Sequence, residues 1–539
     1  VPKVISALLS YEAERHIFAS VVERQDRGYA EYTQRPDRLL DFRIDSGAPA
    51  AMTSLNTVVP YVALAQLVDP LAISARLRKE GAEVTREAVE VYACESITSS
   101  LLPLLTEAPR EGQVDLRWYW AAPLLLELAA EPEHTRKWWT KKVAPALWSG
   151  ADSKEDDTSG FRLHLEAARD LISTPADMSL GRPPDDLLEV VTAVALGSPA
   201  ICALRSLARM TGLPIDHATD LMPGAARIAW GFRSLFNGPD ATAIVRSVST
   251  PDAAYWRAAL DYGISGNLQA VLDEYLHVLK EWLGFGATTG AGIASDMADT
   301  VYSAISLRTV SYRTDIPTVD SGAINVARHS MRGRFAIRFG DQTIEGEAQQ
   351  QRAQQASQAF NSPFWPFVMT TTSVGQEGLD FHLYSHAVVH WNLPNNPVDF
   401  EQREGRVHRY KGHAIRKNVA YAYAGSAFDR DEHDPWAVMF AEARSEQTNG
   451  AGDLSPYWIY APDGAPARIE RYVPVLPLSR DAGRLEDLLK AVATYRLSFG
   501  QPRQEELMRY LAGRASPETL LKLQSSLKVN LSLGYRGLP

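Results

Sequence analysis

Between Gln402 and Lys417 the run QREGRVHRYKGHAIRK holds six Lys or Arg residues and one acid, Glu404, a local balance of +5 in a chain of formal net charge −10. Arginine offers a rigid, planar fork of N–H donors that keeps its charge at physiological pH, so it grips the oxygens of phosphate-like anions. Arg406 and Arg409 stand three residues apart, the spacing that places two side chains on one face of a helix. Two forks aimed at one point predict a polyphosphate. Upstream, TTTSVGQEGLD (370–380) combines hydroxyls, Gly375, Gly378 and a terminal Asp380. Such segments bind ligands at the carboxyl ends of strands in open α/β sheets, where backbone amides and hydroxyls are free.

These residues need a scaffold, and the surrounding pattern predicts one. RFAIRFG alternates Phe335, Ile337 and Phe339 in the period of a strand. PFVMTTTS, HAVVHWN and KNVAYAYAG are short apolar runs rich in β-branched and aromatic residues, as buried parallel strands are. EGEAQQQRAQQASQAF reads as a polar helix, and PVDFEQREGRVHR as the helix that carries Gln402, Gly405, Arg406 and Arg409. Strands alternating with crossover helices predict an α/β lobe over 313–450.

Most of the remaining chain has helical periodicity. Examples are VPKVISALLSYEAERHIFASVVE, LAISARLRKEGAEVTREAVEVYACES, GNLQAVLDEYLHVLKEWLGFG, GRLEDLLKAVATYRLSFG and RQEELMRYLAGR. A polar, acidic stretch, SGADSKEDDTSG (149–160), predicts a linker. The expected organisation is a helical domain over 1–150, a second over 151–312, the lobe over 313–450 and a helical extension over 451–539. Two cysteines, Cys94 and Cys202, are too few for a disulfide framework. The longest apolar runs are too short to span a bilayer and no secretory signal opens the chain, which predicts a cytoplasmic protein with no membrane partner.

The segment TTTSVGQEGLDF…VVHWNLPNNPVDFEQREGRVHRYKGH resembles motifs V and VI of superfamily 2 helicases and translocases. Its Gln-x-x-Gly-Arg-x-x-Arg core is similar to the DExH-type motif VI, while NPVDFEQ and HRYKGH are closer to remodeller-type translocases. The resemblance covers about a quarter of the chain and implies a RecA-like parallel-sheet lobe, the second of two, with large helical additions. It implies that Arg406 and Arg409 reach the γ-phosphate of ATP and that Gln402, with Gly405 beside it, lies on the nucleotide side. Gly378 and Asp380 would couple ribose and nucleotide state to the track, and Thr371 and Thr372 would contact strand phosphates. ATP and Mg2+ are the implied cofactors and nucleic acid the implied partner, DNA ahead of RNA. Large helical additions on such a motor suggest a multi-subunit machine, with defence against foreign DNA as its setting.

A motor of this class also needs a first lobe with a G-x-x-x-x-G-K-[ST] phosphate loop and an acidic magnesium motif. The 539 residues contain neither. GFGATTGAG (284–292) has no Gly-Lys-[Ser/Thr] ending and predicts a loop; DEYLH (273–277) lies within a helical period, which predicts Asp273 and His277 as an i,i+4 pair on a helix face. The first lobe is expected either elsewhere in the same polypeptide, which the start at Val1 favours, or on a partner subunit. The alternative is a non-catalytic scaffold that keeps the lobe for docking. TRKWWTKK (135–142) predicts an amphipathic helix with a buried Trp rather than a base-stacking surface. The arginines of RYVPVLPLSR and FGQPRQEEL are expected to brace the lobe. His382, His386 and His390 have a metal-like spacing but fall on a loop and a strand, which argues against zinc.

Overall fold

The computed structural model describes residues 54–140, 160–175, 179–216, 220–236, 239–249, 254–286, 288–306, 310–320, 323–333, 355–364, 367–369, 380–428, 434–446, 454–474, 480–498, 516, 518, 519 and 522. The contacts divide the chain into two units, one of residues 1–335, 362–367 and 428–436, the other of 336–361, 368–427 and 437–539.

The first unit is built around helix Pro199–Thr211, in which every residue except Arg209 is buried. Alanines and leucines give it helix propensity, Pro199 opens it, and Gly212 ends it with the left-handed φ of 69° that a side chain disfavours. Around it pack Val62–Leu67, Leu221–Phe236 and Leu268–Trp282, with Ala291–Ile305 against the last two. Buried charges need partners, and this core supplies them. Arg205, fully buried, donates to the carbonyls of Leu64, Ala65 and Ala195, and Arg209 joins Asp69 and Asp273 at 2.6 Å each. Asp273 and His277 do not pair with each other as their spacing predicts: both are buried, Asp273 accepts from Ser206 and Arg209, and His277 lies 2.7 Å from Asp434.

Helices from both sides of the 149–160 stretch share this unit, since Trp118–Ala130 and Pro132–Thr140 pack on Gly160–Ser173. Trp139 is buried and meets Trp138 edge to face at 5.2 Å, so TRKWWTKK places a ring in the core as its amphipathic pattern predicts. A long antiparallel hairpin, β1 (Val310–Asp320) with β2 (Ala323–Gly333), pairs Val310 with Gly333 through to Asp320 with Ala323. The sequence pattern had not predicted it. Among the described residues no single helix is long and apolar enough to cross a membrane; the bent pair Leu187–Gly197 and Pro199–Thr211 passes on composition but is buried within this unit.

In the second unit β3 (Ala387–Val389) runs parallel to β4 (Glu470–Tyr472), with Val388 opposite Arg471. Parallel pairing requires a crossover, and helices Pro397–Gly405, His413–Tyr423 and Pro435–Ser445 fall between the two strands. Within HAVVHWN a parallel strand forms as expected, but it is short and not buried, with Val389 57% exposed. KNVAYAYAG is not a strand: residues 413–423 form a helix. The Tyr-Ala alternation imitates a strand, but the buried positions are His413, Ile415, Arg416, Asn418 and Val419, a helical spacing. Tyr421 is 59% exposed, which a buried strand would not allow.

Helix Pro397–Gly405 starts as its sequence dictates, with the Asn396 side chain capping the Val398 amide at 2.8 Å and Pro397 in the first turn. It packs on Asp481–Ser498 through a small core of Leu393, Phe400, Leu488 and Val492. Within PFVMTTTS no strand forms at 367–369, and the polar helix before it is present at 355–360. RFAIRFG, VPKVISALLSYEAERHIFASVVE and RQEELMRYLAGR lie outside the described residues.

Helix Leu187–Gly197 packs on Tyr255–Ser265, and a Cβ added at Gly197 would stand 2.7 Å from the Leu260 carbonyl and 2.8 Å from Ile264 Cγ1. Gly263 faces the Gly197 carbonyl from the other side, so neither helix can retreat without breaking that contact. Gly197→Ala is expected to destabilise the first unit by about 1–3 kcal/mol through overpacking. Thermal or urea unfolding measures it, and a variant as stable as the parent would contradict the close packing.

Candidate anion-binding site

The helix that carries the arginines stops sooner than the sequence pattern predicts. It ends at Gly405, Arg406 is its C-cap, and residues 406–409 form a turn. The three-residue spacing therefore does not place Arg406 and Arg409 on one helical face, which corrects that expectation. They converge by another route. The Glu404 carbonyl accepts from the amides of Val407 (3.0 Å) and His408 (3.1 Å), three and four residues on, which closes the last turn of the helix; the chain leaves the helix there, and both guanidinium groups reach one carboxylate. Arg406 Nη1 lies 3.8 Å from Asp380 Oδ1, and Arg409 Nη2 lies 3.3 Å from the same oxygen.

Asp380 is held by its own backbone. The Asp380 carbonyl accepts from Asn361 Nδ2 at 2.6 Å, the next amide, of Phe381, donates to the Arg406 carbonyl at 2.9 Å, and the His382 carbonyl accepts from the His413 amide at 3.0 Å. Arg416, fully buried, donates to the carbonyls of Leu383 and Lys411. The segment before the site and the loop after it are thus tied to one side chain. Lys411 adopts a left-handed φ of 46°, donates its amide to the Tyr457 carbonyl at 2.7 Å, and lays its ammonium 4.3 Å from the Phe440 ring. Lys411 thereby serves as an anchor for the turn.

Burial pushes the His382 imidazole down to about 4, the neighbouring Arg416 and Arg409 adding to the effect against Asp380. His382 is neutral near pH 7 and leaves Asp380 to the arginines. Gln402 is exposed one turn before Arg406. A Cβ at Gly405 would meet nothing within 4 Å, so this glycine keeps open space beside the arginines and is not required by packing. Gly378, Thr371 and Thr372 lie outside the described residues. Among the described residues no group of three or more His, Cys, Asp or Glu side chains could hold a metal ion.

Three further residues join the site that the motif pattern did not single out. Glu404 receives the two-pronged fork of Arg471, Nη2 at 2.7 Å from Oε2 and Nε on Oε1, and lies 3.2 Å from His390 Nε2. A carboxylate only accepts, so His390 Nε2 carries the proton. His390 stacks on Phe400 at 4.3 Å and Arg471 lies over the same ring at 4.8 Å. Only the expectation that the RYVPVLPLSR arginines act as braces pointed toward Arg471. Burial alone would raise the Glu404 carboxyl, but the Arg471 fork and the His390 N–H outweigh it and hold it at about 2.

A carboxyl lowered on folding stabilises the protein fully above its unfolded value, and that stabilisation is lost as pH falls through its folded value. For Glu404 the window runs from the ordinary 4.5 down to about 2. Glu404→Gln is therefore expected to lower the melting temperature at pH 7, with a gap from the parent that narrows as pH falls from about 4.5 toward 2. Melting curves across this range decide it, and a gap independent of pH would refute the assignment. Among the described residues, His390 and Arg471 are the charged or titratable groups that face Glu404.

No curated protein and no solved structure matches the chain. Residues 327–411, and with them Asp380, Arg406 and Arg409, match the helicase conserved C-terminal domain, the C-terminal lobe of superfamily 1 and 2 helicases.

Proposed function

We propose that this chain supplies the second, RecA-like lobe of an ATP-dependent superfamily 2 helicase or translocase acting on nucleic acid, DNA ahead of RNA. The observation that carries the proposal is the convergence of Arg406 and Arg409 on one oxygen of Asp380. Asp380 Oδ1 marks where a negatively charged oxygen sits between the two forks, and a terminal phosphate oxygen has the same charge and hydrogen-bonding demand.

Bound ATP with Mg2+ supplies the phosphoanhydride whose hydrolysis drives the motor. The chain's own contribution is electrostatic. Arg406 and Arg409 neutralise charge that develops on the transferred phosphoryl group, as arginine fingers do. Gln402 lies on the same side and can orient the attacking water or the nucleotide. Asp380, released when the arginines turn to the phosphate, links that event to the segment holding Gly378, Thr371 and Thr372, the proposed contacts to the track. Contacts to strand phosphates make binding steeply salt-dependent and weakly sequence-specific. The magnesium ligands and the phosphate loop belong to a first lobe in the same polypeptide or on a partner subunit.

The test is nucleic-acid-stimulated ATP hydrolysis by this chain combined with a first lobe that bears a phosphate loop, with DNA and RNA offered separately. Arg406→Ala/Arg409→Ala is expected to reduce turnover by roughly 10³–10⁵ while leaving the melting curve of the second unit in place. No stimulated hydrolysis with either nucleic acid would overturn the motor and leave a docking scaffold built on a helicase lobe.

A further inference from the structure

Arg471 lies 67 residues beyond Glu404 and outside the 327–411 match. It sits in the middle of β4, opposite Val388 of β3. Main-chain bonds fix it there, with the Glu470 amide donating to the His386 carbonyl at 2.7 Å and the His390 amide to the Tyr472 carbonyl at 2.8 Å. From this position its guanidinium takes both oxygens of Glu404 in the bidentate geometry that fixes orientation as well as distance. His390, with a side chain of 0% exposure, closes the same carboxylate from β3. Phe400, also buried, is the ring on which both partners lie.

Glu404 has two ends, and both are in use. Its side chain is held by the sheet, while its main-chain carbonyl accepts the amides of Val407 and His408 and so closes the last helical turn, at which the chain bends between Arg406 and Arg409. The sheet therefore sets where the bend lies, and the bend sets where the two guanidinium groups point. We propose that Arg471, supported by His390, is a positioning residue for the motif VI arginines: through Glu404 it fixes the turn from which Arg406 and Arg409 act. The inference rests on the motor function proposed above, but the placement of the turn can be measured without it.

Arg471→Ala removes the fork, and Arg471→Lys keeps the charge but cannot bind both oxygens in one plane. The first measurement is amide hydrogen exchange at Val407 and His408 in the full chain without nucleotide. Both variants are expected to speed exchange there by about tenfold or more, with amides of helix His413–Tyr423 changing by less than about twofold. The second is nucleic-acid-stimulated ATP hydrolysis with the first lobe supplied, where kcat is expected to fall by about 10²-fold in Arg471→Ala, since a small misplacement of catalytic groups is that costly. KM for ATP should stay within about threefold, and Arg471→Lys should recover part of the loss.

If the parent protein hydrolyses no ATP, the motor function fails while the exchange data still decide the positioning. Unchanged exchange at Val407 and His408 would overturn the positioning role. So would faster exchange throughout the second unit in both variants, because Arg471 would then only be holding the fold. A kcat within about twofold of the parent, in a protein whose parent is active, would overturn it as well.

Discussion

One carboxylate organises the second unit. Glu404 is pulled by the Arg471 fork and the His390 N–H on one side and offers its carbonyl to the bend on the other. Without that anion, Arg471 and the imidazole would face a half-buried space with no compensating charge, which folded proteins avoid. The carbonyl of the same residue closes the last helical turn before the arginines. The two strands, the short helix and the arginine-bearing turn are thus consequences of one another, which is how so small a parallel sheet can place side chains accurately.

The first unit meets a related problem by a different means. Arg205 spends its donors on helix and loop carbonyls, and Arg209 bridges two carboxylates from separate elements. Breaking either would strand a charge inside an alanine- and leucine-rich core, so these residues fix which helices neighbour Pro199–Thr211 as much as how tightly they pack.

How much of this was legible in the sequence depended on whether the signal was local. Asn396 before Pro397 announces a helix start, and the helix begins there. The density of charge around Arg406 and Arg409 marked the site, and the structure brings both to Asp380. Their route was not legible, because the chain after Gly405 is held by long-range bonds, the Phe381 amide on the Arg406 carbonyl and the Lys411 amide on the Tyr457 carbonyl. The helix at 413–423 was misread as a strand because tyrosine and alanine alternate over a few residues, while the deciding facts were long-range: Asn418 bonds to Tyr460 and Ala467. Arg471 is invisible to any motif since its partner is 67 residues away. The β1–β2 hairpin was not legible because VSYRTDIPTVD mixes Arg313, Asp315, Asp320 and Pro317 with its apolar residues, which hides a strand period.

The contact between Asp380 and the arginine pair also changes what recognition means at this site. The cradle is already neutralised in part, so an arriving anion exchanges with a tethered competitor instead of filling a bare positive pocket. Its net gain is the difference between its own interaction and that of a carboxylate held at high local concentration by the chain. If this site takes the phosphate proposed for it, a small monovalent ion would gain little from such a trade, whereas a multiply charged group able to engage both forks at once would gain on each. On the proposed function, the internal carboxylate would act as a charge threshold, favouring anions of higher valence before any shape selection begins.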